Sequence, residues 1–226
     1  MAGRAVDLVV FDMDGVLVDS EPISCRITAE SLTRAGYPIS AEEVRNRFLG
    51  ISTPDMMRAV EAALARPLPP HFRERLRDSL LAAFERELAP MPGIAALLDW
   101  LPARYCVASS SHPERIRRSL EITGLYDRFA PHLFSSSMVA RGKPAPDLFL
   151  HAAVVMDTAP ARTVVVEDSE AGVRAGRAAG MTVIGFTGGG HVDTADHAPR
   201  LLACGADHVA RDMAALRAIL ETLLTG

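Results

Sequence analysis

The chain has 226 residues, 49% of them hydrophobic and 23% charged. That is material for one mid-sized domain carrying an insertion, or for two small domains, and it excludes intrinsic disorder. A formal charge of −4 leaves no cationic excess for nucleic acid or an anionic membrane. Cys25, Cys106 and Cys204 lie far apart with no CxxC spacing, so neither a disulfide framework nor a zinc site is expected. The opening MAGRAVDLVVFD reaches a carboxylate too early for a signal peptide, and no apolar run approaches the roughly 20 residues of a membrane helix. The expectation is a soluble, cytoplasmic protein. Lysine and arginine together number 24, yet Lys143 is the single lysine; its position is either one where arginine would not serve or an accident of composition.

In chain order, Ala5–Phe11 is a short apolar run ending in Asp12 and reads as a buried strand. Gly15 breaks the stretch that follows. Residues 20–89 carry four helical patterns and no strand. The first starts with Ser20 as candidate N-cap, places Ile23 and Ile27 on one face and stops at Gly36. The second opens with Ser40, Ala41, Glu42 and Glu43, a capping box, and ends by Gly50. The third follows Ser52, Thr53 and Pro54, with Met57, Val60 and Leu64 on one stripe. The fourth carries Phe72, Leu76, Leu80 and Phe84 at fourfold spacing. Pro90 and Pro92 then punctuate a linker.

Beyond the linker, helices and strands alternate. Helix Gly93–Leu101 precedes strand Tyr105–Ser109, and helix Glu114–Thr123 precedes strand Leu133–Ser135. Helix Asp147–Met156 precedes strand Thr163–Glu167, helix Ala171–Ala179 precedes strand Thr182–Phe186, and Asp207–Val209 adds an edge strand. Such alternation implies right-handed crossovers and an α/β fold. The expected architecture is a Rossmann-like parallel sheet core, residues 1–19 and 90–226, covered by helices on both faces. A small helical-bundle domain, residues 20–89, is inserted after the first strand.

Ligands of open parallel sheets bind beyond the carboxyl ends of the strands. Asp12 and Asp14 follow the first strand, two residues apart and so on one side of an extended segment. Ser109, Ser110 and Ser111 follow the second, Glu167 and Asp168 follow TVVV, and Lys143 lies in a loop held by Gly142, Pro144 and Pro146. Four carboxylates at close range need a compensating charge. An all-oxygen set without His or Cys suits a hard divalent cation, Mg²⁺ rather than Zn²⁺. The competing reading, acids as helix caps, suits Asp168, which precedes a helix, but not Asp12, which ends an apolar strand.

FDMDGVLVDSE at 11–21, VASSS at 107–111, GKPAPD at 142–147 and VVVEDSEAG at 164–172 together resemble the haloacid dehalogenase superfamily, in its motif order and across nearly the whole core. The inserted helical block is similar to the helical cap of that superfamily's phosphatase and phosphomutase branch. The resemblance implies that Asp12 is the nucleophile that becomes an aspartyl-phosphate. Asp14 would protonate the leaving oxygen and then deprotonate the attacking water. Ser109 would hydrogen-bond a phosphoryl oxygen, and Lys143 would neutralise charge between Asp12 and the phosphate. Mg²⁺ would be held by Asp12, Asp168, the Asp14 backbone carbonyl and Glu167, the last as ligand or as acceptor behind the ligands. Ser110 and the helix start after Ser109 would add contacts to the phosphate.

Within the superfamily, an acid at Asp14 favours phosphate esters, whose leaving alkoxide needs a proton, over halides, which do not. The β-phosphoglucomutase branch shares the motifs but carries an arginine where Thr53 stands, after Gly50, Ile51 and Ser52, and a histidine near Ser24. Both departures argue against a mutase, which remains the alternative; a non-catalytic binding protein on this fold is a more distant one. The implied activity is Mg²⁺-dependent hydrolysis of a small phosphorylated metabolite of the sugar phosphate, phosphogluconate or phosphoglycolate type. The enzyme would be a monomer or small homo-oligomer, with neither nucleic acid nor membrane as partner. Gly50, Ser52 and Thr53 would read the substrate from a loop that closes over the site. Arg115, in the first turn of its helix, reads as a solvated surface arginine, and His191 and His197 as surface-loop residues.

Overall fold

The computed structural model describes residues 6–48, 51–190 and 194–225. Its chain divides into two compact units, residues 1–19 with 89–226, and residues 20–88.

The larger unit contains β1 (Leu8–Phe11), then, after the inserted helices α1 (Glu21–Arg34), α2 (Ala41–Phe48), α3 (Thr53–Leu64) and α4 (Phe72–Glu87), the helix α5 (Ile94–Trp100) and β2 (Arg104–Ser109). Helices α6 (Pro113–Ile122) and α7 (Tyr126–Phe129), β3 (Leu133–Ser135), α8 (Asp147–Val155) and β4 (Thr163–Glu167) follow. The chain continues through α9 (Glu170–Ala178), β5 (Thr182–Phe186), α10 (Thr194–Ala203), β6 (His208–Ala210) and α11 (Met213–Thr225). All six strands are parallel, in the order β3-β2-β1-β4-β5-β6. The first strand therefore lies inside the sheet, with Leu8–Phe11 pairing Arg104–Val107 on one side and Thr163–Val166 on the other.

A strand buried on both faces needs apolar residues at every position, and β1 is fully buried throughout. Its alternation still assigns faces. Leu8 and Val10 join Leu148, Phe149, Ala152, Val173 and Leu201, from α8, α9 and α10, in one cluster. Phe11 points the other way, into edge-on contacts with Tyr105 and Phe129 at centroid separations of 6.5 and 6.2 Å. Such aromatic pairs contribute about 1 kcal/mol each beyond the area they bury.

The C-terminal segment adds two helices that the strand–helix alternation did not assign. In α11, Met213, Leu216 and Leu220 are buried at helical spacing. Helix α10 carries Pro199 inside it, a breaker that hides the helix from a reading by pattern.

In the smaller unit α1 packs against α2 and α4. The capping box forms: Glu43 N–H donates to Ser40 Oγ at 3.1 Å, and Ser40 N–H donates to Glu43 Oε2 at 2.8 Å. Ser20 occupies the cap position of α1 but makes no side-chain cap bond. On α3 the buried stripe is Met56 and Val60; Met57 and Leu64 are half-buried. No disulfide joins the three cysteines, and no described helix is long and apolar enough to cross a membrane.

Candidate active site

Three central strands of one direction end at one edge and deliver their next residues there. Asp12 N–H donates to the Val166 carbonyl at 3.0 Å, extending the ladder one step beyond β1 and fixing the Asp12 backbone. The chain then bends at Met13, whose carbonyl accepts from Leu17 and Val18 N–H at 2.9 and 3.1 Å. Gly15 sits at φ +77° inside this turn, a conformation that a side chain resists. Because the extended conformation stops at Met13, spacing alone does not set the direction of Asp14. Its carboxylate turns to Ser111 and Arg115.

Lys143, between β3 and α8, is nearly inaccessible, with 4% of its side chain exposed. Its ammonium donates to Asp12 Oδ1 at 2.7 Å, to the Ala108 carbonyl at 2.9 Å and to Glu167 Oε1, which uses all three protons. The nitrogen also lies 5.0 Å from the Phe149 ring centroid. Burial by itself would lower the lysine's pKa; the charges of Asp12 and Glu167 outweigh it and raise the value above the ordinary one.

Glu167 is fully buried and braced from behind. Its Oε2 accepts from Ser169 N–H at 3.1 Å and from the Ser169 hydroxyl at 2.9 Å, and Ser169 Oγ in turn caps α9 by accepting from Gly172 N–H at 3.0 Å. A Cβ on Gly172 would overlap the Glu167 carboxylate. That carboxylate can retreat only by breaking its bonds to Lys143 and Ser169. Gly172→Ala is therefore expected to lower the melting temperature and the turnover number together. A thermal scan with steady-state assays checks this, and wild-type behaviour in both would show that the carboxylate has room to move.

Asp12, Glu167 and Asp168 each place a carboxylate oxygen within 4.8 Å of the others. Burial raises the pKa of Asp12, with Lys143 opposing and the neighbouring carboxylates adding to it. Asp168 is raised by burial and by Glu167, against the pull of Lys143. Three carboxylates thus share one ammonium in a desolvated place, with oxygen donors alone. This is a donor set for a hard divalent cation.

Ser109 ends β2, is almost fully buried, and its Oγ accepts from Ser111 N–H at 3.0 Å. Ser110 is exposed, and its carbonyl accepts from Ser136 Oγ at 2.9 Å. Thus Asp12, Ser109, Lys143, Glu167 and Asp168 share one edge of the larger unit, with Asp14 a turn away. Ser52 and Thr53 belong to the helical unit. There Ser52 caps α3, accepting from Asp55 N–H at 3.3 Å and donating to the Asp55 carboxylate. Gly50 and His191 lie outside the described residues.

Two expectations need correction. Arg115 is no solvated surface arginine: its Nη2 bonds Asp14 Oδ1 at 2.7 Å, with 30% of its side chain exposed. His197 is on α10 rather than in a loop, and its Nε2 lies 2.6 Å from the Asp168 carbonyl oxygen. The reading also missed Ser135, whose buried hydroxyl donates to the Ser111 carbonyl at 2.7 Å, and the brace Ser169. Hydroxyl runs after two adjacent strands, 109–111 and 135–137, were the available signal for the former.

Residues 6–180 match the haloacid dehalogenase-like hydrolase family. The 6-phosphogluconate phosphatase of Escherichia coli (strain K12) is 32% identical over 187 residues, 82% of this chain and 85% of that protein. The crystal structure of a haloacid dehalogenase-like protein of unknown function from Agrobacterium tumefaciens str. C58 is 40% identical, with a TM-score of 0.87 over 97% of this chain and 99% of that one. A family hydrolase from Deinococcus radiodurans R1, solved with bound phosphate and sodium, is 32% identical with a TM-score of 0.82 over 97% of each chain. The chain belongs to the haloacid dehalogenase-like hydrolase family and is an enzyme of its phosphoric monoester hydrolase kind.

Proposed function

We propose that the enzyme is a Mg²⁺-dependent phosphatase of a small phosphorylated metabolite, of the sugar phosphate, phosphogluconate or phosphoglycolate type, working through an aspartyl-phosphate. The observation that carries this reading is the buried Lys143 ammonium, bonded at once to Asp12 and Glu167 at the strand edge. An anionic nucleophile can approach an anionic ester only where positive charge is already in place.

In the first half-reaction an Asp12 carboxylate oxygen bonds to phosphorus while the bond to the leaving oxygen breaks, and Asp14 gives that oxygen its proton. In the second, Asp14 takes a proton from water, the water oxygen bonds to phosphorus, and the bond to Asp12 breaks to release phosphate. Lys143 follows the charge on Asp12 and the phosphoryl group, and Ser109 donates its hydroxyl to a phosphoryl oxygen. Mg²⁺ would be held by Asp12, Asp168 and the Asp14 main-chain carbonyl. When bound, it supplies Lewis-acid charge neutralisation at the phosphoryl oxygens. Glu167, whose oxygens accept from Lys143 and Ser169, would brace the lysine and serve the metal as a ligand or as an acceptor behind the ligands. Residues 20–89 are assigned the part of a cap that sets substrate choice, with Gly50, Ser52 and Thr53 among its reading residues.

The test is phosphate release from a panel of phosphoglycolate, sugar phosphates, 6-phosphogluconate and nucleoside monophosphates, with Mg²⁺ and with chelator. Release that requires Mg²⁺ and ranks the esters is expected. Absence of release from every ester would overturn hydrolysis and bring β-glucose 1-phosphate isomerisation forward as the next assay.

The raised carboxylates also predict a stability profile. In metal-free protein the folded pKa values of Asp12 and Asp168 lie above the unfolded ones. The folded state therefore holds more protons, and stability falls as pH rises from the ordinary carboxylate range through the raised values. Mg²⁺ should reverse this at neutral pH. Thermal scans with chelator at pH 5 and pH 8 should show this loss shrinking in Asp168→Asn, and an unchanged loss would refute the assignment.

A further inference from the structure

We infer that Arg115, together with Ser111, is the positioning device that aims Asp14 at the leaving oxygen. The inference rests on the acid–base role of Asp14 proposed above. The two Asp14 oxygens are held separately: Oδ1 by Arg115 Nη2 at 2.7 Å and Oδ2 by Ser111 Oγ at 2.8 Å. A carboxylate gripped at both ends cannot turn about its own axis. A carboxylate oxygen has more than one lone pair, so accepting these two bonds does not exclude the proton that Asp14 carries.

Arg115 stands in the first turn of α6, where the helix field repels a cation. The neighbouring arginines behave differently. Arg117 and Arg118 pair with Glu121 on the helix itself and are 61% and 47% exposed. Arg115 instead turns inward to a partner 101 residues upstream, and the pair is half-buried. Local helix stabilisation accounts for its two neighbours and not for it.

Ser111 is fixed with equal care. Its N–H donates to Ser109 Oγ at 3.0 Å, and its carbonyl accepts from the fully buried Ser135 hydroxyl at 2.7 Å. The clamp is thus anchored to the ends of β2 and β3, rigid elements of the sheet, and it ties Asp14 to the same segment that carries Ser109, the proposed donor to the phosphoryl group. Acid catalysis requires the donor within about 3 Å of the leaving oxygen, and a side chain with two free torsions visits that position only part of the time. Arg115 stays a guanidinium in both half-reactions. The proton leaves Asp14 for the alkoxide and returns to Asp14 from water.

A positioning role predicts selectivity for the step that needs the proton. The Mg²⁺-loaded enzyme is mixed with an alkyl phosphate or with 4-nitrophenyl phosphate, and release of the leaving group in the first turnover is followed by rapid quench. For Arg115→Met, release of the alkyl alcohol should slow on the order of tenfold to a hundredfold, while release of 4-nitrophenolate, which needs no proton, changes less than about threefold. Arg115→Lys should recover part of the loss. Ser111→Ala should show the same selectivity with smaller size, and it decides the matter if Arg115→Met fails to fold. Equal losses on both esters, or no loss on either, would overturn the inference. Asp14→Asn separates the two levels: if it shows no leaving-group selectivity, the acid role of Asp14 itself fails. If it does while the Arg115 and Ser111 variants do not, only the clamp fails.

Discussion

Asp12→Asn is expected to abolish turnover and, in metal-free protein, to raise the melting temperature. The first effect is the loss of the proposed nucleophile: an amide does not form the acyl phosphate, and losses on the order of 10⁴-fold or more accompany removal of a covalent catalyst. The second follows from the charges. Asp12 is buried beside Glu167 and Asp168, and burial is the largest influence pushing its pKa up. The wild-type site therefore holds a carboxylate that its surroundings disfavour. Asparagine keeps the shape and keeps an oxygen for the Lys143 ammonium, while Lys143 retains Glu167 and the Ala108 carbonyl. A gain of about 1–2 kcal/mol, or roughly 2–8 °C for a chain of this size, is expected. Added Mg²⁺ should shift the variant less than the wild type, since one of the proposed ligands is gone. Scanning calorimetry with chelator and with Mg²⁺, beside the ester assay, checks all three. A variant that is both inactive and less stable without metal would show that the Asp12–Lys143 pair contributes more than the crowded carboxylates cost.

Why some of this was legible and some was not has a physical basis. Strand ends are readable because a buried parallel strand must be apolar and must stop where a polar group begins. Asp12 after LVVF and Glu167 at the end of TVVVE are therefore assigned to one edge by the sequence pattern alone. The capping box at Ser40–Glu43 is local chemistry and formed as written. What escaped was set by long-range pairing. The reach of Arg115 to Asp14 spans 101 residues, and nothing within one helical turn of Arg115 announces it. The bend at Met13 ends the extended segment, so strict alternation alone does not set the direction of Asp14. His197 sits among Gly, Asp and Pro residues that read as loop, yet tertiary packing makes that segment a helix. By contrast α11 was available, since Met213, Leu216 and Leu220 recur at helical spacing. The four residues of α7 are too few to show any period.

Lys143→Arg is expected to be nearly inactive although it keeps the charge. The lysine pocket is built for one compact cation: Asp12 Oδ1, the Ala108 carbonyl and Glu167 Oε1 surround a single nitrogen, and Phe149 closes another side. A guanidinium spreads its donors over a plane and cannot point three of them at three converging acceptors. It also brings extra heavy atoms into a pocket whose side chain is only 4% exposed, and overpacking of that kind costs about 1–3 kcal/mol. The charge would then sit off the line between Asp12 and the phosphoryl group, with a loss of about 10²–10³-fold in kcat. Lys143→Met makes the complementary case. It leaves Asp12, Glu167 and Asp168 without a cation, so a stability loss of about 3–5 kcal/mol is expected at neutral pH in the presence of chelator. The two variants separate shape from charge: Arg should fold and fail at turnover, whereas Met should fail at both. Wild-type turnover in Lys143→Arg would sink the claim that compactness is what this position requires, and the chain's single lysine would revert to an accident of composition.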